Sequence, residues 1–424
     1  MSAGSGKPRD AAGLPQEVAI GQIGQDSSLR PLPISIVGGC GHVGLPLGIV
    51  LAECGFDVTL VDVAVDKVEA VNCGQMPFLE DDAPARLSKA LAIGRLRATV
   101  DQTTVRAATA VIVIIGTPVD EYLNPRIHDI TRVMGQLMPY LRAEQTIILR
   151  STVFPGTSER IRDFLHSNGI GASVGFAPER IAQGRALHEL RSLPQIISAF
   201  DPRGIQVQRD IFGAVAHGKI IELQPVEAEL AKLFSNAYRY INFAISNQFF
   251  AIAEEAGADF TAIHHAVTHE YPRMGAFARA GFAAGPCLFK DTMQLAAFSH
   301  TTFLLGHAAM LINEGTPAVT VDMLEARLRR EVRGSAVGIL GMTFKKDNDD
   351  TRASLAFKLR KLLEAKGADV ICHDPFLDPK AFPGLRLSPL DEVRRRPAII
   401  IGAPHSAYQE LRFSADQIVV DIWR

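Results

Sequence analysis

The chain has 424 residues, a length that suits two or three domains. Its 44 Lys and Arg residues nearly balance 46 Asp and Glu residues, so it lacks the basic excess of a nucleic-acid-binding protein. No apolar run approaches the ~20 residues of a transmembrane helix, and the N-terminus does not resemble a signal peptide, so we expect a cytoplasmic protein without membrane contact. Five widely spaced cysteines without a CxxC pair predict no disulfide framework and no metal site.

The first half of the chain has the pattern of a doubly wound sheet. Residues 1–31 are rich in Gly, Ser, Gln and Pro without a hydrophobic period, so we expect a flexible tail. From residue 32 to 224, short β-branched runs alternate with amphipathic stretches, which predicts a Rossmann domain. The predicted strands include Ile34–Val37, Val58–Val61, Val111–Ile115 and Thr146–Leu149, and the predicted helices include Asp129–Leu141 and Thr157–Ser167.

The second half begins with helices and returns to α/β. Pro225–Gly257 has a long helical pattern without internal Gly or Pro, and residues 225–332 form a helical region whose apolar stripe suits either a dimer surface or an internal core. Residues 333–424 predict a second Rossmann-like domain, with strands at Ala336–Leu340, Asp369–Cys372, Ala398–Ile401 and Ile418–Asp421 and a helix at Ala353–Lys366. The predicted fold class is α/β, with two doubly wound domains joined by a long central helix.

A glycine-rich segment, Gly39–Gly44, follows the first of these strands and opens a helix. The glycines of a GxGxxG pattern permit a tight turn, close approach of backbone to a pyrophosphate, and tight helix–strand packing. Asp62 ends the next strand, where a carboxylate accepts from a ribose 2′-hydroxyl and repels a 2′-phosphate. This context predicts an NAD site, and the alternative is a glycine-rich turn without a ligand. We expect Cys40 and His42 to fill space rather than to react.

A second segment, Gly285–Asp291, places a cysteine just before a predicted helix. Cys287 has Lys290 and Asp291 close in sequence, and both a nearby cation and a helix N-terminus favour a thiolate. The segment therefore predicts a nucleophilic cysteine. The alternative is an inert packed cysteine beside a surface ion pair.

Three further groups of polar residues stand out. Glu229, Lys232 and Asn236 share one helical face, so an ammonium and an amide would point together into a cleft, although a solvated helix face has the same pattern. Two stretches, Arg150–Gly156 and Ala177–Arg180, follow strands at the carboxyl edge, where doubly wound sheets bind ligands. The alternative for each stretch is an ordinary polar turn.

Together these residues resemble the nucleotide-sugar 6-dehydrogenases, the family of UDP-glucose and GDP-mannose dehydrogenases. The resemblance implies an NAD-binding domain, a helical region that forms a homodimer or higher homo-oligomer, and a C-terminal domain that binds the UDP of a nucleotide sugar. It covers nearly the whole chain and rests on seven stretches in the same order: Gly39–Pro46, Thr117–Pro118, Ser151–Gly156, Pro178–Arg180, Glu229–Asn236, Gly285–Asp291 and Gly341–Arg352.

The resemblance implies a four-electron oxidation of the sugar C6 alcohol to a uronate, as in polysaccharide biosynthesis, with two molecules of NAD. Cys287 would capture the intermediate aldehyde as a thiohemiacetal and then carry a thioester, because a thiolate both adds to an aldehyde and leaves from a thioester. Lys232 and Asn236 would stabilise the oxyanion. Asp291 would be the general base, and the residues expected to hold water and assist hydrolysis are Thr152 and Glu179.

The resemblance also implies binding residues. Cofactor contacts are implied at Gly39, Gly41, His42, Val43, Gly44, Asp62, Lys67, Thr117, Thr152, Lys290 and Arg352. Substrate contacts are implied at Glu179, Arg180, Lys232, Asn236, Gly285 and Lys345. Arg273 resembles an arginine that a neighbouring subunit contributes to the substrate site.

The substrate markers are mixed. Pro178–Arg180 resembles the branch that acts on UDP-N-acetylhexosamines, whereas the Lys-Asp pair after Cys287 resembles the UDP-glucose branch. Gln183 stands where a second acid is common in UDP-glucose enzymes. Our expectation favours UDP-glucose slightly, giving UDP-glucuronate, with a UDP-N-acetylhexosamine (UDP-GlcNAc or UDP-ManNAc) or GDP-mannose as alternatives. Outside this family, the alternatives are a two-electron hydroxyacid dehydrogenase and a non-catalytic nucleotide-sugar-binding protein.

Overall fold

A computed structural model describes residues 17–19, 32–120, 126, 128–217, 219–300 and 302–423. The chain divides into two compact units. The first comprises residues 1–117 and 126–232, and the second comprises residues 118–125 and 233–424. In the described residues, no helix has both the length and the hydropathy that a bilayer crossing requires.

The first unit is built on a nine-stranded sheet. Its central strands are buried along their whole length, which explains their continuous Val and Ile runs. The strands are β1 (Glu17–Ala19), β2 (Pro33–Val37), β3 (Asp57–Val61), β4 (Leu96–Thr99), β5 (Ala110–Val113), β6 (Thr146–Leu149), β7 (Ser173–Phe176), β8 (Gln195–Ala199) and β9 (Lys219–Glu222). The helices are α1 (Gly44–Glu53), α2 (Val65–Asn72), α3 (Ala83–Ala92), α4 (His128–Leu137), α5 (Thr157–Ser167), α6 (Ala186–Ser192) and α7 (Pro202–Val215).

The order of the strands across this sheet creates a ligand-binding edge. They lie in the order β1-β9-β8-β7-β6-β5-β2-β3-β4, so β2 has later strands on both of its sides. The crevice outside the carboxyl ends of β2 and β5 is therefore the switch point at which such sheets bind ligands. Pairing is parallel from β4 through β7, which includes the four strands predicted in this half, while β7 with β8 and β1 with β9 are antiparallel.

The second unit combines helices with a four-stranded parallel sheet. The helices are α8 (Pro225–Glu255), which begins in the first unit, α9 (Phe260–Thr268), α10 (Leu288–Phe298), α11 (Leu304–Leu328), α12 (Leu355–Ala365) and α13 (Leu390–Val393). The strands are β10 (Ala336–Leu340), β11 (Asp369–His373), β12 (Ala398–Ile401) and β13 (Ile418–Val420). Their order β11-β10-β12-β13 puts a second switch point at the carboxyl ends of β10 and β12.

Where helix boundaries differ from the predicted ones, local chemistry gives the reason. The helix predicted to reach Leu141 ends as α4 at Leu137 and continues only as a 3-10 turn over Met138–Tyr140, because Pro139 has no amide hydrogen to donate to the α-helical ladder. The helix predicted from Ala353 begins at Leu355, because Ala353 has a φ of +52° and Ser354 caps the helix through the Ala356 amide.

The predicted flexible tail lies outside the described residues except for Glu17–Ala19. These three residues form β1 and extend the first sheet beside β9. The short strand expected before Ala177 is β7, whereas β4, β8 and β9 were not located by the sequence patterns quoted above. Each of these three has four or five residues with at most two consecutive apolar ones, too short a run to distinguish it from a loop.

Candidate active site

The glycine-rich loop between β2 and α1 lies at the switch point of the first unit. Gly38 has a φ of +75°, and a Cβ there would come within 1.9 Å of a main-chain oxygen of the segment after β5. A Cβ on Gly39 would lie 2.7 Å from the Leu60 Cβ, and one on Gly44 would lie 2.7 Å from the Gly38 oxygen. These three residues are glycines because the loop packs tightly against the sheet and the helix.

Gly41 differs from its neighbours in the loop. A Cβ at this position would approach only one described atom, the Gly38 oxygen, at 3.7 Å. Internal packing therefore does not require a glycine at residue 41. Close approach of the backbone to a dinucleotide pyrophosphate does explain the glycine, so the loop fits the predicted cofactor.

Asp62 follows β3 and holds the glycine-rich loop through its carboxylate. Its Oδ2 accepts from the Cys40 amide at 2.9 Å and its Oδ1 accepts from the Ala64 amide at 3.1 Å. A carboxylate oxygen accepts more than one hydrogen bond, so both remain able to accept from a ribose hydroxyl. Burial, reinforced by the Asp62 charge, raises the pKa of Cys40 to about 12, while the exposed Lys67 acts in the opposite direction. Cys40 is therefore a protonated, inert thiol.

The remaining predicted cofactor contacts in this unit are linked to neighbouring loops. The Thr117 hydroxyl donates to the Thr152 carbonyl at 2.6 Å, which brings two predicted site residues together. The His42 ring packs on Phe78 with ring centroids 4.0 Å apart, and its Nδ1 lies 2.9 Å from Nε2 of Gln183. Val43 is the residue that precedes the first turn of α1.

Glu179 forms a buried ion pair with Arg150. The Arg150 side chain is fully buried at the end of β6, and its guanidinium donates to Glu179 Oε2, to the Ala177 carbonyl at 3.1 Å and to Gln195 at 3.0 Å. It also lies 4.7 Å above the Phe212 ring. A buried charge requires a partner of this kind, and Arg150 finds it in the carboxylate of Glu179.

The turn that contains Glu179 is fixed by the same carboxylate. Its Oε1 accepts from the backbone amides of Arg180 at 2.7 Å and Ile181 at 3.0 Å. The Arg180 guanidinium donates to the Pro194 carbonyl, and burial lowers the pKa of Arg180. Arg150 was named in the sequence analysis only as part of a polar stretch. A lone arginine directly after a buried strand was the available signal.

Glu229 has a structural role that its helical spacing does not reveal. Its carboxylate accepts from the Gly156 amide at 2.6 Å and from the Ser158 amide and hydroxyl at 2.8 and 2.6 Å. These amides belong to the first turn of α5, which Gly156 precedes with a φ of +85°. Glu229 on α8 therefore caps α5, and this contact positions the loop that carries Thr152.

In the second unit, Cys287 occupies the N-cap position of α10, and its side chain is exposed. The free amides and partial positive charge of a helix N-terminus favour a thiolate at this position. Among the other cysteines, Cys40 and Cys372 are buried, Cys54 is half-buried and Cys73 is exposed. Burial raises the pKa of Cys372 to about 12 and also raises that of Cys54. Cys287 is thus distinguished by an exposed side chain at a helix N-terminus.

Asp291 lies one turn after Cys287 and is fully buried. The Asn236 amide donates to its Oδ2 at 2.5 Å, and the Lys290 ammonium lies 3.1 Å from its Oδ1. That Oδ1 accepts no hydrogen bond of good geometry from the residues the structure describes. The structure therefore brings three predicted site residues together and leaves a buried carboxylate oxygen with capacity for a water.

Arg352 lies near the same thiol. Its guanidinium donates to both oxygens of Asp350 at 2.7 to 3.0 Å, and this pair raises the pKa of Arg352, with a further contribution from Cys287. A Cβ on Gly285 would lie 2.7 Å from the Phe344 ring, so the loop before Cys287 packs directly against the loop after β10. Asp350 was missed by the sequence analysis, although it lies within the matched stretch Gly341–Arg352.

For three further predicted site residues the structure gives a position but does not assign a role. Lys345 is half-buried, and its carbonyl accepts from the Thr343 hydroxyl at 3.0 Å. Arg273 is exposed, with its guanidinium 5.0 Å from the Tyr271 ring centroid. Lys232 is half-buried on α8, one helical turn before Asn236.

Family models match most of the chain. The NAD-binding domain of the UDP-glucose/GDP-mannose dehydrogenase family matches residues 33–216, its central domain matches residues 226–314, and its UDP-binding domain matches residues 338–424. The NAD-binding match coincides with the unit that contains the glycine-rich loop and Asp62. The predicted cofactor is thereby confirmed.

Individual relatives agree with these matches. A UDP-N-acetyl-D-mannosamine dehydrogenase of Methanocaldococcus jannaschii is 30% identical over 88% of this chain and 85% of its own. One of Pyrococcus horikoshii is 27% identical over 89% of this chain and 90% of its own. A solved UDP-glucose dehydrogenase of Pyrobaculum islandicum superposes with a TM-score of 0.88 at 27% identity, covering 95% of this chain and 96% of that one. The chain belongs to the UDP-glucose/GDP-mannose dehydrogenase family.

Proposed function

We propose that this chain oxidises the C6 alcohol of a UDP-N-acetylhexosamine to the uronate with two molecules of NAD, and that UDP-N-acetylmannosamine is its substrate. The observation that carries the chemistry is the exposed Cys287 at the N-terminus of α10, one turn before the buried Asp291 and its partner Asn236. The substrate is assigned from the relatives, two of which are UDP-N-acetyl-D-mannosamine dehydrogenases. The Pro178–Arg180 stretch supports it, because it resembles the branch that acts on UDP-N-acetylhexosamines.

In the first half of the reaction, Cys287 acts as the nucleophile. The C6 alcohol loses one hydride and a proton to give the aldehyde, and the thiohemiacetal later loses a second hydride and its hydroxyl proton to give the thioester. Two NAD molecules, bound in turn at the glycine-rich loop and Asp62, would each supply the acceptor for one hydride. Between these two oxidations the sulfur adds to the C6 aldehyde, so a carbon–sulfur bond forms and the carbonyl oxygen becomes an oxyanion that takes up a proton. We assign the stabilisation of this oxyanion to the Lys232 ammonium and the Asn236 amide, because both are donors on the same helical face.

In the second half, water cleaves the thioester. Water adds to the acyl carbon, the carbon–sulfur bond breaks, and the electron pair leaves with the Cys287 sulfur as thiolate. We assign the removal of the water proton to Asp291, whose buried Oδ1 has capacity for that water. We assign to Thr152 a part in holding the water and to Glu179, which is paired with Arg150, assistance in hydrolysis.

The relatives favour a UDP-N-acetylhexosamine over UDP-glucose, the substrate that the sequence analysis slightly preferred. The two relatives above are both UDP-N-acetyl-D-mannosamine dehydrogenases, and an NDP-N-acetyl-D-galactosaminuronic acid dehydrogenase of Ralstonia nicotianae is 26% identical over 87% of the chain. UDP-glucose is the second candidate because of the Pyrobaculum islandicum structure, whose enzyme acts on it. A two-electron hydroxyacid dehydrogenase would leave Cys287 and the second sheet without a role.

We also propose that the chain acts as a homodimer through α8. Six large apolar side chains on this helix are between 42% and 60% exposed, and five of them share one face: Phe234, Tyr238, Ile245, Phe249 and Ile252. At 100° per residue they fall within about a sixth of the helix circumference, so they form one stripe. An apolar stripe of this length on a protein surface is typical of a binding interface.

The test is the number of NADH molecules formed per sugar. Limiting UDP-ManNAc, UDP-GlcNAc, UDP-glucose, UDP-galactose and GDP-mannose are each incubated with purified protein and excess NAD until NADH formation ends. We expect two NADH per sugar and the highest kcat/KM with UDP-ManNAc. One NADH per sugar contradicts the thioester route, a higher kcat/KM with UDP-glucose contradicts the substrate assignment, and no turnover with any sugar contradicts the whole proposal.

Two serine variants supply the matched control. Cys287→Ser is expected to lower kcat by roughly three orders of magnitude, because an alcohol is a poor nucleophile and a poor leaving group. Cys73→Ser changes the other exposed thiol and is expected to keep wild-type activity. Equal losses in both variants would contradict the assignment of Cys287 as the nucleophile.

A further inference from the structure

The second switch point is bordered by three loops. One follows β10 and contains Lys345 and Arg352, one follows β11 and begins with Asp374, and one follows β12 and contains His405. Because β10 has β11 on one side and β12 on the other, all three loops meet at the same edge of the sheet. The arrangement of these loops therefore determines the shape of the ligand-binding crevice there.

His405 joins these three loops through one imidazole ring. The ring is completely buried, and its Nδ1 accepts from the Asp347 amide at 2.9 Å. A nitrogen that accepts a hydrogen bond carries no proton, so the neutral ring has its proton on Nε2. Nε2 lies 3.1 Å from Asp374 Oδ2 and 3.2 Å from Thr343 Oγ1. The two nitrogens thus have different partners: Nδ1 holds the Asp347 amide in the loop after β10, and Nε2 contacts Asp374 after β11 and the Thr343 hydroxyl.

Asp347 strengthens this connection from the opposite side. Its carboxylate accepts from the Ser406 amide at 2.7 Å and from the Ser406 hydroxyl at 2.6 Å. Asp347 has a φ of +49°, a conformation that non-glycine residues adopt at a cost and only where surrounding contacts hold them. The His405–Ser406 pair therefore holds the backbone of Asp347 by its amide and by its side chain.

Lys345 lies two residues before this held position. Its carbonyl accepts from the Thr343 hydroxyl, and Thr343 itself contacts the His405 ring. The short segment from Thr343 to Asp347 is consequently tied to His405 at both of its ends, with Lys345 between them. The backbone of the predicted substrate lysine is thereby fixed.

We infer that His405 is a positioning residue for nucleotide-sugar binding: through Nδ1 it holds the Asp347 backbone and so presents Lys345 to the UDP group. The inference rests on the proposed function for the identity of the ligand. It goes beyond that function in assigning a role to a residue that does not itself contact the substrate.

Two substitutions separate the tasks of the two ring nitrogens. An asparagine side chain places its oxygen near the Nδ1 position, so His405→Asn keeps an acceptor for the Asp347 amide. A glutamine side chain places its amide nitrogen near the Nε2 position, so His405→Gln keeps the donor to Asp374 and Thr343 but loses the acceptor for the Asp347 amide. Both variants lose the same ring contacts, including those with Phe376 and Tyr408, so they are matched in lost packing.

The experiment measures the Kd of UDP by calorimetry and the KM for the nucleotide sugar and for NAD. We expect His405→Gln to raise the Kd of UDP and the KM for the sugar about fivefold or more, and His405→Asn to keep both within about twofold of wild type. The KM for NAD is expected to be unchanged in both variants. Equal changes in the two variants, or no change in either, would overturn the inference.

Further variants distinguish a specific change in the Kd of UDP from a general loss of stability. Tyr408→Phe removes a hydroxyl that hydrogen-bonds with His373 in the same cluster and leaves the links of His405 intact, so it is expected to lower Tm without raising the Kd of UDP. If both His405 variants unfold, Ser406→Ala removes one donor to Asp347 from an exposed position and is expected to raise that Kd about threefold. An unchanged Kd in Ser406→Ala would then contradict the inference.

The wild-type protein distinguishes the two proposals. Wild-type protein that neither binds UDP nor oxidises any of the sugars contradicts the proposed function. Wild-type protein that binds UDP, together with His405 variants that bind it equally well, contradicts only the role of His405.

Discussion

Glycines of the first loop are required for two different reasons, and these reasons can be separated by experiment. Gly39→Ala would place a Cβ 2.7 Å from the Leu60 Cβ, which is closer than real Cβ atoms approach, so we expect a lower Tm. In Gly41→Ala the new Cβ would lie near only one described atom, the Gly38 oxygen at 3.7 Å, so the Tm of this variant should remain within a few degrees of wild type. Its Kd for NAD should nevertheless rise about tenfold or more, because a methyl group would stand where the pyrophosphate approaches.

The two alanine variants are compared by thermal unfolding and by titration with NAD. Gly39→Ala is the comparison that shows the effect of lost loop packing on Tm. A Gly41→Ala protein that binds NAD as tightly as wild type would contradict the placement of the pyrophosphate at this loop.

At the scale of elements, the contact between α8 and α5 depends on one buried carboxylate. Burial raises the pKa of Glu229, although hydrogen bonds from Ser158 and Gly156 oppose the increase. Between the ordinary value of 4.5 and this raised value, the folded chain binds the proton more tightly than the unfolded chain. The contribution of Glu229 to the free energy of unfolding therefore falls as the pH rises through that window.

Glu229→Gln removes this titration and sets an amide NH2 against donors of α5. We expect it to lower the free energy of unfolding by about 1 kcal/mol near pH 4.5 and by less at neutral pH. Urea unfolding at several pH values measures the difference. Glu227→Gln, two residues earlier on the same helix and exposed, is the matched control and should show no such dependence. A gap for Glu229→Gln that widens with rising pH would contradict the assignment.

At the scale of the whole molecule, the proposed dimer and the proposed role of Arg273 make a joint prediction. Arg273→Ala and Cys287→Ser are each expected to be nearly inactive. If Arg273 acts on the site of the partner subunit, a mixed dimer of the two variants contains one site with both residues intact. In an equimolar mixture, random exchange of subunits makes about half of the dimers mixed, and each of these has one intact site out of two. The mixture should therefore recover about a quarter of wild-type activity.

The measurement is NADH formation after the two variants are mixed and allowed to exchange. A mixture of Arg273→Ala with itself is the control for spontaneous recovery. No recovery in a mixture that size-exclusion chromatography shows to be dimeric would place Arg273 outside the partner's site. A protein that remains monomeric at all concentrations would contradict the role of the α8 stripe.

Much of the fold and part of the site follow from local sequence. The central strands of both sheets were predictable because parallel strands buried on both faces are continuous apolar runs. The glycine-rich loop was predictable because its backbone conformation restricts the residue type. The pairing of Cys287 with a helix N-terminus also follows from local order. The choice between UDP-glucose and a UDP-N-acetylhexosamine did not follow from local sequence, because sugar selection depends on side chains that surround the ligand rather than on the motifs that perform the chemistry.

Long-range contacts were decided only by the tertiary structure. Sequence spacing put Glu229, Lys232 and Asn236 on one face, but the fold uses Glu229 to cap α5 and Asn236 to hold Asp291. Arg150 and His405 show no local pattern because their partners, Glu179 and Asp347, come from other loops. The sequence by itself determined which backbone segments could form strands, helices and tight turns, since these depend on neighbouring residues. The partners of the buried polar groups were decided by folding, since burial requires each charge and donor to find a partner wherever the chain brings one.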